Sequence, residues 1–304
     1  MAKIKVLCGG ISPESEVSKV SGKFVFEALK KFFDTELITL EKNELPDNID
    51  SKSCVVFPAM HGDYGEDGTL QMQLDKRGIS YAGCGSLSSR TCMVKPASKS
   101  LMKFAGLPVA DAIEFQASEK VNAEAIAKIF PNGAVIKPAD KGSSVGLNIT
   151  KSESETKEVI EKITEGFWLV EEYVKGREFS IGVIDGKAAG LVEIIPDGGV
   201  YDFKRKYTAG STKYEFPAKV SFKTLKNIEQ AAEKAFEICG CRDFARVDFI
   251  LKDDETSDFI ILEINTLPGM TPTSLLPKSA SCIGYDFDSL CKKMVENAIK
   301  RLEV

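Results

Sequence analysis

The sequence predicts an α/β layer followed by two α+β lobes, on three observations. Short apolar runs alternate with helix-period stretches up to about residue 94, a small mixed segment follows, and from Phe179 apolar strands dominate around one long helix. In the first segment, residues 4–8 read as a strand, 16–33 as a helix, and 35–40 and 54–59 as strands, which is the alternation of a parallel layer. A helix over 69–77, a strand over 79–82 and a helix over 86–93 complete it, with Lys95-Pro96 punctuating the exit. The middle segment carries helices over 98–105 and 123–130, a strand over 134–137, a Gly/Ser loop, a strand over 147–150, a charged helix over 153–165 and a strand over 168–174. Strands over 180–183, 190–195, 245–251 and 259–264 then flank a helix over 225–239. A final helix over 287–302 aligns Leu290, Met294, Ala298 and Leu302 and is expected to pack on this last lobe. The expected domains are 1–94, 95–178 and 179–304.

Composition narrows the partners. The 304 residues are 43% hydrophobic, enough for real cores, and the net charge of −5 argues against nucleic acid. The apolar run before Gly9-Gly10 is too short for a signal core or a membrane span, so a cytosolic protein is expected. Eight scattered cysteines read as buried thiols. Cys239-Gly240-Cys241 invites a metal, yet the single histidine, His61, leaves a structural zinc site short of ligands.

Four segments carry chemistry. Arg246-Val247-Asp248 and Glu263-Ile264-Asn265 each lie on an apolar strand, where residues two apart share a face. Two carboxylates and an amide oxygen there suit magnesium bridging phosphates; an internal Arg246 salt bridge is the structural alternative. The loop Lys141-Gly142-Ser143-Ser144-Val145-Gly146, after the strand ending in Lys137, offers hydroxyls and backbone amides to a phosphate, or is an ordinary turn. It is no Walker loop, and Gly9-Gly10 lacks a dinucleotide fingerprint. His61 opens a glycine- and acid-rich run to Gly68 at the carboxyl end of a strand, where α/β sheets bind ligands. Glu14 occupies the equivalent edge after the first strand, or simply favours the next helix. Residues 196–215, with Lys204-Arg205-Lys206-Tyr207, read either as a lid delivering Lys206 to an anion or as a solvated face.

Together the passages Gly9-Gly10-x-Ser12-x-Glu14-x-Glu16-Val17-Ser18, His61 to Leu70, Ala245-Arg246-Val247-Asp248-Phe249 and Glu263 to Thr271, with Ser274-Leu275, resemble the D-alanine:D-alanine ligase family nearly end to end. The resemblance implies an ATP-grasp fold of three lobes with ATP between the central and C-terminal lobes. It implies that Lys95 and Lys137 contact the nucleotide, that Ser143, Ser144 and Lys206 approach its phosphates, that Glu171 and Val174 lie at the adenine hinge, and that Glu178 takes the ribose. Asp248, Glu263 and Asn265 would hold two Mg²⁺ ions, with Mn²⁺ a substitute. Glu14 would hold the first D-alanine's ammonium and His61 its carboxylate, while Ser274, Leu275 and Lys206 would hold the second carboxylate. Ser143 and Tyr207 resemble the pair that hydrogen-bonds with Glu14 and pins the lid, and Arg246 with the Gly269 N–H resembles an oxyanion hole.

The implied reaction is ATP-dependent joining of two D-alanines through an acyl phosphate, for peptidoglycan precursors, in a homodimer. Two residues depart from the family pattern: Val94 stands where Asp is usual and Lys141 where Glu is usual. A D-lactate- or D-serine-using relative is the alternative, against which Tyr207 speaks. A regulatory nucleotide binder is the other, supported only by those two departures.

Overall fold

The computed structural model describes residues 2–119, 121–143, 145–197 and 212–303. The first sheet consists of β1 (Lys3–Gly9), β2 (Thr35–Leu40), β3 (Cys54–Pro58) and β4 (Ser80–Tyr81), all parallel in the order β2-β1-β3-β4. β1 and β3 are buried along nearly their whole length, as central parallel strands covered on both faces must be. Ile4, Val6, Val55 and Phe57 face α1 (Ser15–Leu29), whereas Leu7 and Val56 face α3 (Thr69–Lys76), the two-residue alternation of a strand. A single turn, α2 (Asp63–Glu66), leads into α3, and α4 (Ser86–Met93) follows β4. α5 (Lys95–Phe104) begins at once after Val94. Pro96 sits in its first turn, where the missing N–H has no helical partner anyway, so Lys95-Pro96 starts a helix rather than punctuating a linker.

The second sheet is small and antiparallel. It contains β5 (Ala112–Gln116), β6 (Ala134–Pro138), β7 (Asn148–Thr150) and β8 (Phe167–Glu172) in the order β5-β8-β6-β7. α6 (Ala123–Ile129) and α7 (Glu153–Glu161) close a core of Phe115, Ile126, Phe130, Ile136 and Val170 with it. β5 was not anticipated from sequence.

The third sheet holds β9 (Arg177–Ile184), β10 (Lys187–Pro196), β11 (Thr212–Glu215), β12 (Phe244–Asp253) and β13 (Asp258–Asn265), antiparallel in the order β11-β10-β9-β12-β13. α8 (Phe222–Ile238), capped by the Ser221 hydroxyl on Thr224 N, buries Ile228, Ala232 and Ala235 against Phe179, Val247 and Phe249. The expected loop 196–215 shrinks at both described ends: Pro196 closes β10 and Thr212–Glu215 is a strand paired with it. Lys206 and Tyr207 lie outside the described residues.

Two helices end the chain. α9 (Leu275–Ser281) lies against β9 and β10 because Gly182 and Gly190 present no side chain there. A Cβ on Gly190 would come within 2.1 Å of the Cys282 Cβ, and one on Gly182 within 2.5 Å of Leu276. The Ser279 hydroxyl fixes the seat, accepting from Gly182 N at 2.8 Å and donating to Gly190 O. α10 (Phe287–Leu302) packs on the last lobe as expected and also on the first sheet. Its stripe of Leu290, Met294 and Ala298 lies in one core with Ile184, Phe244, Leu276 and Ala280 on one side and with α1 and β3 on the other. A parallel sheet needs cover on both faces, and α10 supplies part of it. Among the described residues no helix is long and apolar enough to cross a membrane.

Candidate functional site

A cavity of about 830 Å³ opens where the three sheets approach, a size suited to small-molecule substrates. At one end stand the turn after β1 and the run after β3. Glu14, just before α1, is buried, and its carboxylate accepts a hydrogen bond from the Ser143 hydroxyl of the Gly/Ser loop, which thereby closes over the first lobe. Gly62 makes the approach of the two turns possible: its φ is 88°, and a Cβ there would lie 2.7 Å from that of Ser12. The Ser12 hydroxyl donates to His61 O at 2.8 Å. The buried His61 ring sits between the Ser21 hydroxyl, 2.9 Å from Nε2, and Glu66, whose Oε1 is 3.5 Å from Nδ1. Burial raises the Glu66 carboxyl above its ordinary value, with His61 opposing.

The middle of the cavity is walled by β12 and β13. Antiparallel register sets Arg246 opposite Asn265 and Asp248 opposite Glu263, and a bulge follows Asp248 immediately. Arg246 grips Asp248 with Nε donating to Oδ1 at 2.9 Å and more weakly to Oδ2 at 3.3 Å, and with a terminal nitrogen donating to Oδ2 at 2.7 Å, while Ser180 donates to Oδ1 at 2.7 Å. The salt bridge held open as an alternative therefore forms. It orients Asp248 beside Glu263 without changing the donor chemistry: two carboxylates and the Asn265 amide are hard oxygen ligands of the kind Mg²⁺ takes alongside phosphate and water. Among the described residues no group of three or more His, Cys, Asp or Glu side chains forms a metal cage.

Beside the second sheet, Lys137 and Lys99 meet one buried carboxylate. Glu171 Oε2 lies 2.6 Å from Lys137 Nζ, and Oε1 lies 2.7 Å from Lys99 Nζ. Burial on its own raises the Glu171 carboxyl, but the two lysines, Lys137 foremost, outweigh it and hold it below its ordinary value. Burial is also the larger influence on Lys99 and lowers it, against Glu171. Lys95 donates to Lys141 O at 2.5 Å and lies 3.9 Å from Glu263, tying the Gly/Ser loop to β13. Lys141 itself pairs with Asp63 of the first lobe at 2.6 Å.

The far end is built by the turn after β13 and by α9. Gly269, Ser274 and Leu275 line it with Tyr214 of β11 and Lys278. Ser274 Oγ accepts from Thr271 N at 3.1 Å and exchanges a hydrogen bond with the Thr271 hydroxyl at 2.8 Å.

The cavity brings together Glu14, His61, Lys95, Ser143, Arg246, Glu263, Asn265, Gly269, Ser274 and Leu275. Lys137, Glu171, Val174, Glu178 and Asp248 are not on its wall, and Ser144, Lys206 and Tyr207 fall outside the described residues. Sequence reasoning missed Glu66, Lys99 and Lys278. The available signal was spacing, since Lys99 follows Lys95 and Lys278 follows Ser274 by four residues, one helical turn.

Residues 39–84 match the family described as D-ala D-ala ligase N-terminus, and residues 101–296 that described as D-ala D-ala ligase C-terminus. A D-alanine–D-alanine ligase from Anaeromyxobacter sp. (strain Fw109-5) is 40% identical, covering 97% of this chain and 96% of its own. One from Acidiphilium cryptum (strain JF-5) is 39% identical over 99% of this chain and 100% of its own. The crystal structure of the Bacillus anthracis D-alanine–D-alanine ligase complexed with ATP matches all of this chain and 99% of its own, with a TM-score of 0.86 and 30% identity. The VanG D-Ala:D-Ser ligase of Enterococcus faecalis matches with a TM-score of 0.83 and 29% identity, covering 98% of this chain and 99% of its own. The fold and the interlobe cleft are those of an ATP-grasp enzyme. Within that class the chain belongs to the D-alanine–D-alanine ligase family.

Proposed function

We propose that this chain joins two D-alanine molecules to D-alanyl-D-alanine, converting ATP to ADP and phosphate, and so supplies peptidoglycan precursors from the cytosol as a homodimer. The observation that carries this reading is the convergence of Glu14, His61, Ser143, Arg246, Gly269 and Ser274, from distant parts of the chain, on one cavity. The lobes correspond to residues 1–94, 95–178 and 179–304.

Glu14 holds the first D-alanine's ammonium, with Ser143 fixing the carboxylate that does so, and His61 positions that substrate's carboxylate. The carboxylate attacks the γ-phosphorus of ATP, and ADP departs. Lys95, Lys137 and Arg246 offset the negative charge that builds up on the transferring group. Ser144 and the lid residues Lys206 and Tyr207 complete the closure over the phosphates, while Glu171, Val174 and Glu178 receive the adenosine. Asp248, Glu263 and Asn265 would hold Mg²⁺, or Mn²⁺ in its place, as two ions that neutralise phosphate charge. Ser274, the Leu275 backbone and Lys206 hold the second D-alanine's carboxylate. Its neutral amine then attacks the acyl carbon, and Arg246 with the Gly269 N–H stabilises the oxyanion until phosphate leaves.

The test is phosphate release from ATP and magnesium with D-alanine, L-alanine, or D-alanine plus D-lactate or D-serine, with products identified by mass spectrometry. One D-alanyl-D-alanine per phosphate supports the reading. A mixed product in preference to the dipeptide reassigns the acceptor, and ATP binding without turnover refutes ligation.

A further inference from the structure

Every buried lysine on the nucleotide side of this site has an anionic or carbonyl neighbour: Lys99 and Lys137 share Glu171, and Lys95 reaches Lys141 O and Glu263. Lys278 does not. The residue is only 9% exposed and lines the acceptor end of the cavity, yet its ammonium has no ion pair or hydrogen bond among the described residues. Aromatic faces hold it instead, with Nζ 4.5 Å from the Tyr214 ring centroid and 6.0 Å from that of Phe216. Ring faces orient a cation without neutralising it, and an uncompensated buried charge is stabilised by whatever anion arrives beside it. The position is firm, because the Ser279 hydroxyl locks α9 to the sheet. Lys278 N donates to Ser274 O at 3.1 Å, one helical turn away, so the ammonium and the Ser274 hydroxyl stand on successive turns at the same end of the cavity.

We infer that Lys278 is a carboxylate-binding residue of the acceptor subsite, selecting acceptor amino acids that carry a free carboxylate; the inference rests on the ligase reading above. Lys278 and Ser274 make a two-point anion site of an ammonium and a hydroxyl, charge-assisted at one point. An acceptor lacking the negative charge leaves the lysine buried and unmatched, so it is disfavoured.

The experiment offers the full-length enzyme D-alanine and D-alaninamide together, with ATP and magnesium, and measures the ratio of D-alanyl-D-alanine to its amide by mass spectrometry. In Lys278→Met the ratio should fall by about tenfold or more, the usual weight of a hydrogen bond to a charged group. Lys278→Arg, which keeps the charge, should restore most of it. The ratio belongs to folded molecules alone, so a loss of folded protein does not mimic the effect. A Lys278→Met ratio within about twofold of the unaltered enzyme's, a margin below the weight of such a bond, overturns the inference while leaving the ligase reading intact. Absence of any dipeptide from the unaltered enzyme sinks both.

Discussion

Glu171 offers a sharp test of how α5 is tied to the second sheet. Its two carboxylate oxygens each serve a different lysine, at 2.6 Å to Lys137 and 2.7 Å to Lys99, and all three side chains are buried. Glu171→Gln removes the anion that pairs with both cations and leaves both charged in a poorly solvated place. Lys99→Met removes one cation and leaves the Lys137 pair intact. Breaking a buried pair by deleting one partner costs about 3–5 kcal/mol, which sets the expectation for Glu171→Gln. Lys99→Met orphans a single oxygen and should cost about 1–3 kcal/mol. At about 2–4 °C per kcal/mol for larger domains, the first variant should melt roughly 6–20 °C lower and the second markedly less. Scanning calorimetry on the two variants and on Lys99→Met/Glu171→Met measures this directly. The double variant still strands Lys137 and should not recover fully. Equal losses for the two single variants, or a Glu171→Gln cost under about 1 kcal/mol, would refute the buried-triad account.

Three further outcomes follow from the same geometry. Ser143→Ala removes the hydroxyl that donates to Glu14, and steady-state kinetics should show kcat/KM down about ten- to hundredfold with the melting temperature nearly unchanged; unchanged kinetics would remove Ser143 from the site. Because Glu171 is held below its ordinary value near 4.5, its unfolded form takes up the proton first, so its stabilisation is complete above pH 4.5 and is lost as pH falls through the folded value. Thermal melts should accordingly decline more steeply below pH 4.5 in the unaltered protein than in Glu171→Gln. The Lys141–Asp63 pair is about half exposed at both ends, so Lys141→Met should shift stability by less than about 1 kcal/mol, and melts in 1 M salt should erase the difference.

What the sequence revealed, and what it hid, divides along a physical line. Strand periodicity placed Arg246, Asp248, Glu263 and Asn265 on shared faces, and the register confirms that they stand opposite one another. The partner of Arg246 was left open because metal ligand and salt bridge ask for the same residues at the same spacing. β5 went unseen because only Phe115 of its five residues is buried, so it has too little apolar content to register as a strand. Lys99 and Lys278 went unmarked, since the anion or aromatic rings beside them arrive from elsewhere in the chain. The stripe on α10 announced a buried face but not that the first sheet shares it with the last lobe, because amphipathicity specifies that a surface is hidden and not everything that hides it.

The packing of α10 on the first sheet has a consequence for biosynthesis. β1 and β3 leave the ribosome well before Leu290, Met294 and Ala298, which share their core and are translated only after all three sheets. The nascent first lobe therefore has one face of its sheet only partly covered until α10 has emerged. Completing that core depends on contacts of high sequence separation, the kind that form slowly.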